Sequence, residues 1–318
     1  MRFFFRWIFR LLFVVLLLVL IAGLFLGKKD IPAEQLIQKY GQAPSQFMEL
    51  MGMRVHYRDE GDCNDTVPLV LIHGTSSSLF TWDSTVLLLG AQHRIIRFDL
   101  PGFALTGPQP ERDYSMALYT RFVDSVLLRL GVAKCVLGGN SLGGSIVWQY
   151  AVQYPAKVQK LILVDAGGYV PKERMDLPLG FRLAKMPVVN NLVKWITPKQ
   201  LVRKSVEDVY GNKKRVSDDL VNLYSDMTLR AGNRQALIDR MQLGLGEDAS
   251  AQIRTLSLPT LIVWGDQDRL IPPSNATLFH RDIRGSELHI LKGIGHVPME
   301  EAPQDFVRIL APFLAKPI

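Results

Sequence analysis

Six short β-rich runs, spaced along the chain with helical pattern between most of them, constrain the fold more than any other feature. They are VPLVLIHG (67–74), RIIRFDL (94–100), KCVLGGN (134–140), KLILVDA (160–166), PTLIVWG (259–265) and SELHILKG (286–293). Strands that alternate with amphipathic helices build a mostly parallel sheet covered on both faces. An earlier stretch, FMELMGMRVHYRDEG, reads as an opening hairpin turned near Gly52. Together these runs predict an α/β fold: a doubly wound, mostly parallel sheet of about eight strands. Helices are expected over 114–131 and 303–315. The rhythm breaks once. No good strand occurs between Ala166 and Leu258, only helical pattern cut by prolines and glycines. The organisation read from this is a linker over 28–46, a core over 47–166 and 258–318, and a helical cap over 167–257. A cap inserted there would cover the carboxyl ends of the strands, the edge where open parallel sheets hold their ligands.

Across the end of the third of these runs lies GGNSLGG, a G-x-S-x-G pattern formed by Gly139, Ser141 and Gly143. The motif is weak alone, but an apolar β-like run precedes it and SIVWQYAVQY follows as a helix. A tight strand-to-helix turn forces its central residue into a strained conformation and leaves no room for side chains on either side. The result is a hydroxyl standing proud of the sheet near the positive end of a helix.

A serine hydroxyl becomes a useful nucleophile only when a neighbouring base takes its proton. Of six histidines, His56 lies in the hairpin, His93 and His280 on helix ends or loops, and His289 within a strand. His296, in LKGIGHVPMEEAP just past the last strand, is positioned to reach over Ser141. A base of this kind needs an acid to fix its tautomer. WGDQDRLIPP offers Asp266 and Asp268 directly after a strand. Asp268 is preferred because it lies further along the loop; Asp266 reads as a turn residue bonding its own backbone. Asp165, at the end of the strand before the cap, is an outside candidate. In LIHGTSSSLF, Gly74 and Thr75 follow a central strand, so the Thr75 N–H and that of Leu142 can form an oxyanion hole. His73 reads as a brace for that loop. This chemistry calls for no cofactor and no metal.

HGTSSSLFTW, FDLPGF, GGNSLGG, WGDQDRLIP and GIGHVPMEEAP, in this order, resemble the α/β-hydrolase superfamily over roughly residues 48–316, excluding much of the cap. The resemblance implies Ser141 as nucleophile, Asp268 as acid, His296 as base, and Thr75 and Leu142 as oxyanion donors. One departure is Ala104, where the family's loop often has glycine. Haloalkane dehalogenases and epoxide hydrolases in this superfamily carry an aspartate nucleophile, which Ser141 replaces. Carbon–carbon bond hydrolases use serine, often within a similar GNSxGG, but usually place a tryptophan after the histidine, where this chain has Val297.

The amino terminus adds a second theme. Leu11 to Leu26 is 16 residues without a polar side chain, about 24 Å of helix at 1.5 Å per residue. Extended over residues 3–26, with Arg6 and Arg10 turned toward the interface and Trp7 in the aromatic belt, it reads as an uncleaved transmembrane anchor within residues 1–27. Positive charge before the span, at Arg2, Arg6 and Arg10, outweighs Lys28 and Lys29 after it. This places the body on the non-cytoplasmic side, the periplasm in a Gram-negative cell. Residues 1–30 also hold +4 of the net +7, so the body is too weakly basic for nucleic-acid binding. From Leu177 to Val206 the cap has no acidic residue but carries Arg182, Lys185, Lys194, Lys199, Arg203 and Lys204 among apolar groups. That composition suits either a solvated helix face or an anionic membrane surface. Cys63 and Cys135 fit no metal site and read as free thiols, with a single bridge as the alternative.

The expected function is therefore that of a membrane-anchored serine esterase or lipase acting on a small-molecule or lipid ester. A carbon–carbon bond hydrolase, and a non-catalytic binding protein on the same fold, are the alternatives.

Overall fold

The computed structural model describes residues 27–170, 175–187, 189–244 and 248–317, together with Arg6, Trp7, Arg10 and Phe13. Its strands are β1 (Gln46–Leu50), β2 (Met53–Gly61), β3 (Leu69–Ile72), β4 (Arg94–Phe98), β5 (Cys135–Asn140), β6 (Val158–Val164), β7 (Thr260–Gly265) and β8 (Glu287–Leu291). They form one sheet in the order β1-β2-β4-β3-β5-β6-β7-β8. β2 runs antiparallel to β1 and β4, and every other pairing is parallel. The β1–β2 hairpin turns where expected. Met51 and Gly52 both take positive φ (51° and 71°), the combination that a two-residue turn matching the strand twist requires.

The outer helices of the core are α1 (Ala33–Tyr40), α2 (Asp83–Leu89), α3 (Met116–Arg129) and α4 (Leu142–Gln153). The cap contributes α5 (Leu179–Lys185), α6 (Val189–Val193), α7 (Lys199–Val209), α8 (Asp218–Leu229), α9 (Asn233–Gln242) and α10 (Ser250–Ile253). The chain then returns to the core with α11 (Ser274–Asp282), α12 (Pro298–Glu301) and α13 (Pro303–Ala315). Side chains of the parallel strands alternate between two core layers, as a period of two demands. Val70, Ile72, Leu161, Leu163, Ile262 and Trp264 pack with Phe122, Ile146, Trp148 and Phe279. Leu69, Leu71, Ile162, Val164, Leu261 and Val263 pack with Trp82, Phe306, Leu310 and Phe313 on the other face. Among the described residues, the stretch between β6 and β7 holds helices and no strand.

Residues 28–46 were expected as a polar linker with helical character. They carry α1, and they are docked on the cap. Ile31 exchanges backbone hydrogen bonds with Leu229 and Ala231 (2.7 and 2.9 Å). Asp30 pairs with Arg234 at 2.7 Å, and Tyr40 donates to Asp226 at 2.8 Å. Leu36 is buried with Ala104, Leu105 and Met227. The polar composition conceals one apolar stripe, Leu36 and Tyr40 at i and i+4, which suffices to seat the helix.

The expected membrane span over residues 3–26 lies outside the described residues, apart from Arg6, Trp7, Arg10 and Phe13, which are helical. No helix among the described residues is long and apolar enough to cross a membrane. Both cysteines are free, Cys63 exposed and Cys135 buried, so the alternative of a bridge is not formed. Burial pushes the Cys135 thiol up to about 12.

Candidate active site

Ser141 sits between β5 and α4 with φ 57° and ψ −115°, a conformation L residues avoid unless their surroundings enforce it. The enforcement is visible in the flanking glycines. A Cβ on Gly139 would stand 2.4 Å from the Gly143 carbonyl, and one on Gly143 would stand 2.3 Å from the Ile72 carbonyl oxygen. The turn is also pinned from outside, because Ser141 N–H donates to Val164 O at 3.0 Å and Ser141 O accepts from Gly167 N–H at 3.2 Å. Leu142 opens α4, where helical N–H groups have no intrahelical partner. A Cβ on Gly74 would meet the Ser141 Cβ at 3.0 Å, so the 74–75 loop lies directly against the serine. His73 braces it as expected: its Nδ1 donates to Gly74 O (2.7 Å) while Nε2 accepts from Leu100 N–H (2.9 Å). Burial holds this imidazole below its ordinary pKa, in the neutral form that both bonds require.

His296 and Asp268 meet. His296 Nδ1 lies 2.7 Å from Asp268 Oδ2, and Asp268 Oδ1 accepts from the Leu270 and Ile271 N–H groups (2.8 and 3.0 Å). That leaves His296 Nε2 buried without a hydrogen-bond partner; His296 and Ser141 line one cavity. Asn140 ties the two loops together, its Nδ2 donating to His296 O at 3.0 Å and to Val164 O at 3.2 Å. Asp266 departs from expectation. Its Oδ1 accepts from Gly293 N–H across the loop at 2.7 Å, because β7 and β8 are neighbours and bring that turn within reach.

Asp165, the outside candidate, is part of the cluster. One carboxylate oxygen of Asp165, one of Asp268 and one ring nitrogen of His296 lie within 4.8 Å of one another. Asp165 Oδ1 accepts from Gly265 N–H at 3.0 Å. Burial, and then the adjacent Asp268 charge, raise its pKa well above the usual carboxyl range. Two carboxyls this close cannot both ionise in a dry site, so Asp165 is the one that holds a proton. Because its folded-state pKa lies above the unfolded one, its contribution to stability is complete in acid and fades as pH rises past the ordinary carboxyl range. Asp165→Asn is neutral at every pH and removes that loss. Its melting temperature relative to wild type should therefore increase from about pH 4 to neutrality; a difference independent of pH would contradict the assignment.

Two residues of GHVPMEEAP went unrecognised in the sequence. Buried Glu301 accepts from Gly211 N–H and Gly295 N–H through Oε2 (2.9 and 2.8 Å) and from Asn212 N–H through Oε1 (2.7 Å). It thereby fastens the end of α7 to the loop that carries His296, which itself donates from N to Val209 O at 2.7 Å. Glu300 accepts from Thr81 (2.5 Å), Tyr224 (2.8 Å) and Tyr210 (2.8 Å). Glu301→Gln turns an amide N–H toward those backbone donors. It should cost about 1–3 kcal/mol of stability by chemical denaturation and lower kcat through displacement of His296.

A second serine–histidine–aspartate set also occurs. His56 Nδ1 is 2.7 Å from Asp99 Oδ2, and His56 Nε2 is 2.9 Å from Ser45 Oγ. Its serine sits before β1, not at the head of a helix, and Ser45 Oγ also accepts from Arg58 Nε at 2.9 Å. Asp99 is further occupied by the Leu79 and Leu105 N–H groups. This set braces the hairpin against the sheet.

Ser141 stands where two chambers meet. One, of about 900 Å³ counting its open mouth, is lined chiefly by apolar groups of the cap and the His296 loop, among them Phe181, Leu201, Val202, Val206, Leu237 and Val297. The other, about 1350 Å³ counting its open mouth, runs past Leu142, Tyr169, Met241 and Ile271 to Lys185 and Arg240.

A family model described as the alpha/beta hydrolase fold matches residues 67–303. The chain belongs to this family. It is 30% identical over 289 residues to an uncharacterised protein of Mycobacterium tuberculosis, an alignment covering 85% of this chain and 80% of the other. It is 28% identical over 278 residues to the 2-hydroxy-6-oxononadienedioate/2-hydroxy-6-oxononatrienedioate hydrolase of Klebsiella pneumoniae, covering 83% and 92%. Among solved structures, a membrane phospholipase A described as a bacterial virulence factor superimposes with a TM-score of 0.73 at 23% identity, over 99% of both chains. At that identity the likeness speaks to fold. This α/β-hydrolase is thus a hydrolase by family.

Proposed function

We propose that this hydrolase is membrane-anchored and cleaves carboxylic esters through an acyl-enzyme on Ser141. The observation that carries the reading is the strained serine at the head of α4, opening into an apolar chamber lined by an imidazole whose Nδ1 is held by Asp268. In this reading His296 takes the Ser141 proton as Oγ attacks the carbonyl. The Leu142 and Thr75 N–H groups hold the oxyanion, and His296 returns the proton to the departing alcohol. Water then repeats the sequence to release the acid. The acyl chain lies in the apolar chamber.

A series of p-nitrophenyl esters tests this against a vinylogous diketone. Ester turnover with no diketone cleavage supports the proposal, and the reverse overturns it. Val206→Trp, at a buried position in the chamber wall, should lower kcat/KM for long acyl chains about tenfold or more while sparing short ones. The second reading, a carbon–carbon bond hydrolase, is favoured by the name of the Klebsiella relative. Against it stands Val297 beside His296, where such enzymes usually have tryptophan.

Membrane attachment through residues 3–26 has support from the residues just after the apolar run. Lys28 N–H donates to Trp195 O at 2.9 Å, which joins the start of the described body to the cap. There Trp195 and Met186 are exposed, 71% and 49%, beside exposed Arg182 and Lys185. Apolar and cationic groups together suit an anionic interface. The charge balance around the run favours a body on the non-cytoplasmic side. Release by detergent but not by high salt or carbonate would support the anchor.

A further inference from the structure

Among the described residues Arg230, between cap and core, has no acidic hydrogen-bond partner and donates to the Ala231 and Thr106 carbonyls (2.7 and 3.4 Å), whereas two other arginines, both buried, have acidic partners. Arg234 pairs with Asp30, and within the core Arg97 pairs with Glu60 and Asp83. Arg240, near the end of α9, has none among the described residues. Its Nη1 reaches only the Gly244 carbonyl, at a long 3.4 Å, and its Nε is buried with no hydrogen-bond partner. Burial accordingly pushes the guanidinium below its ordinary pKa. Burial holds the Tyr119 phenol neutral, and its hydroxyl donates to Pro101 O. Asp248, which lines the adjoining recess with Arg240, is occupied by the N–H and Oγ of Ser250.

An unpaired guanidinium in a largely dry wall is costly, and side chains so placed mark sites completed by a ligand. Arg240 is not remote from the chemistry. It lines the larger chamber, which meets the apolar chamber at Ser141, Thr75, Phe181 and Leu270, and exposed Lys185 lines it too. Among the described residues no aspartate or glutamate lines that chamber. A substrate ester placed at Ser141 would send its acyl chain into one chamber and its alcohol half into the other.

We infer that Arg240, assisted by Lys185, is an anion-recognition subsite, and that the natural substrate is an ester whose alcohol half carries a phosphate or carboxylate. This rests on the ester-hydrolase reading and narrows it to anionic amphiphiles. A guanidinium binds either group through two parallel N–H donors, which an ammonium cannot reproduce. Arg240 is here a binding residue with no part in proton transfer.

The test compares kcat/KM of the purified full-length chain in detergent on three butyrate esters: neutral p-nitrophenyl butyrate, meta-butyryloxybenzoate and butyrylglycerol phosphate. The ratio of anionic to neutral turnover should fall about tenfold or more in Arg240→Gln and recover in part in Arg240→Lys. A larger effect on the phosphate ester than on the benzoate would identify phosphate as the group held, and the converse would identify carboxylate. An unchanged ratio for both overturns the subsite. A second measurement needs only the wild type: dodecyl phosphate should slow fluorophosphonate labelling of Ser141 at lower concentration than dodecanol does. Equal protection overturns the subsite as well. If wild type is labelled yet hydrolyses none of the three esters, the ester-hydrolase reading fails, and the protection experiment still decides the subsite.

Discussion

Ser141→Ala is expected to abolish fluorophosphonate labelling and to lower kcat by about four to six orders of magnitude. On the proposed mechanism such a loss follows from removing the atom that forms the covalent intermediate, leaving only the oxyanion donors and binding. The control that gives the experiment its force is Ser45→Ala. By hydrogen-bond distances alone, Ser45, His56 and Asp99 make the more complete set, because His296 Nε2 has no hydrogen-bond partner. They differ in everything around the hydroxyl. Ser141 has positive φ and precedes α4, so its Oγ faces a cavity and developing charge falls near free helical N–H groups. Ser45 Oγ is held by Arg58 Nε and His56. Ser45→Ala should therefore retain labelling while lowering stability, and labelling lost in Ser45→Ala but kept in Ser141→Ala would reverse the assignment.

That contrast also shows what a sequence can and cannot disclose. Each later strand was legible because its apolar run is bounded by turn residues. Gly139, Ser141 and Gly143 were legible because a close backbone approach leaves only glycine possible at fixed spacing. Asp268 and His296 follow from their places just after β7 and β8. Glu300 and Glu301 escaped, and Asp165 stood only as an outside candidate, for a different reason: their roles depend on which groups lie opposite them once the sheet and cap assemble. Glu301 in the first turn of α12 looks like an ordinary acidic complement to a helix N-terminus, yet its carboxylate serves Gly211 and Asn212, about 90 positions earlier. The docking of residues 28–46 was hidden likewise, since Asp30 and Tyr40 find their partners in α8 and α9. Long-range polar pairing leaves no periodicity to read.

Asp268→Asn is expected to reduce kcat by about four orders of magnitude, with the loss varying with pH in a way that reports on Asp165. An asparagine at this position offers N–H where His296 Nδ1 now donates, so the imidazole turns to its other tautomer and Nε2 no longer accepts the serine proton. Removing the Asp268 charge also removes one cause of the raised Asp165 pKa. Burial still opposes ionisation, but less strongly than burial and a like charge combined. As pH rises, Asp165 should then ionise within a few ångströms of His296 and stabilise the imidazolium that forms during attack. Residual activity of Asp268→Asn should accordingly climb on the alkaline side, a climb not expected of the wild type. The Asp165→Asn, Asp268→Asn double variant should lose that climb. Identical pH profiles for the single and double variants would show that Asp165 has no electrostatic hold on the base and serves the turn after β6 alone.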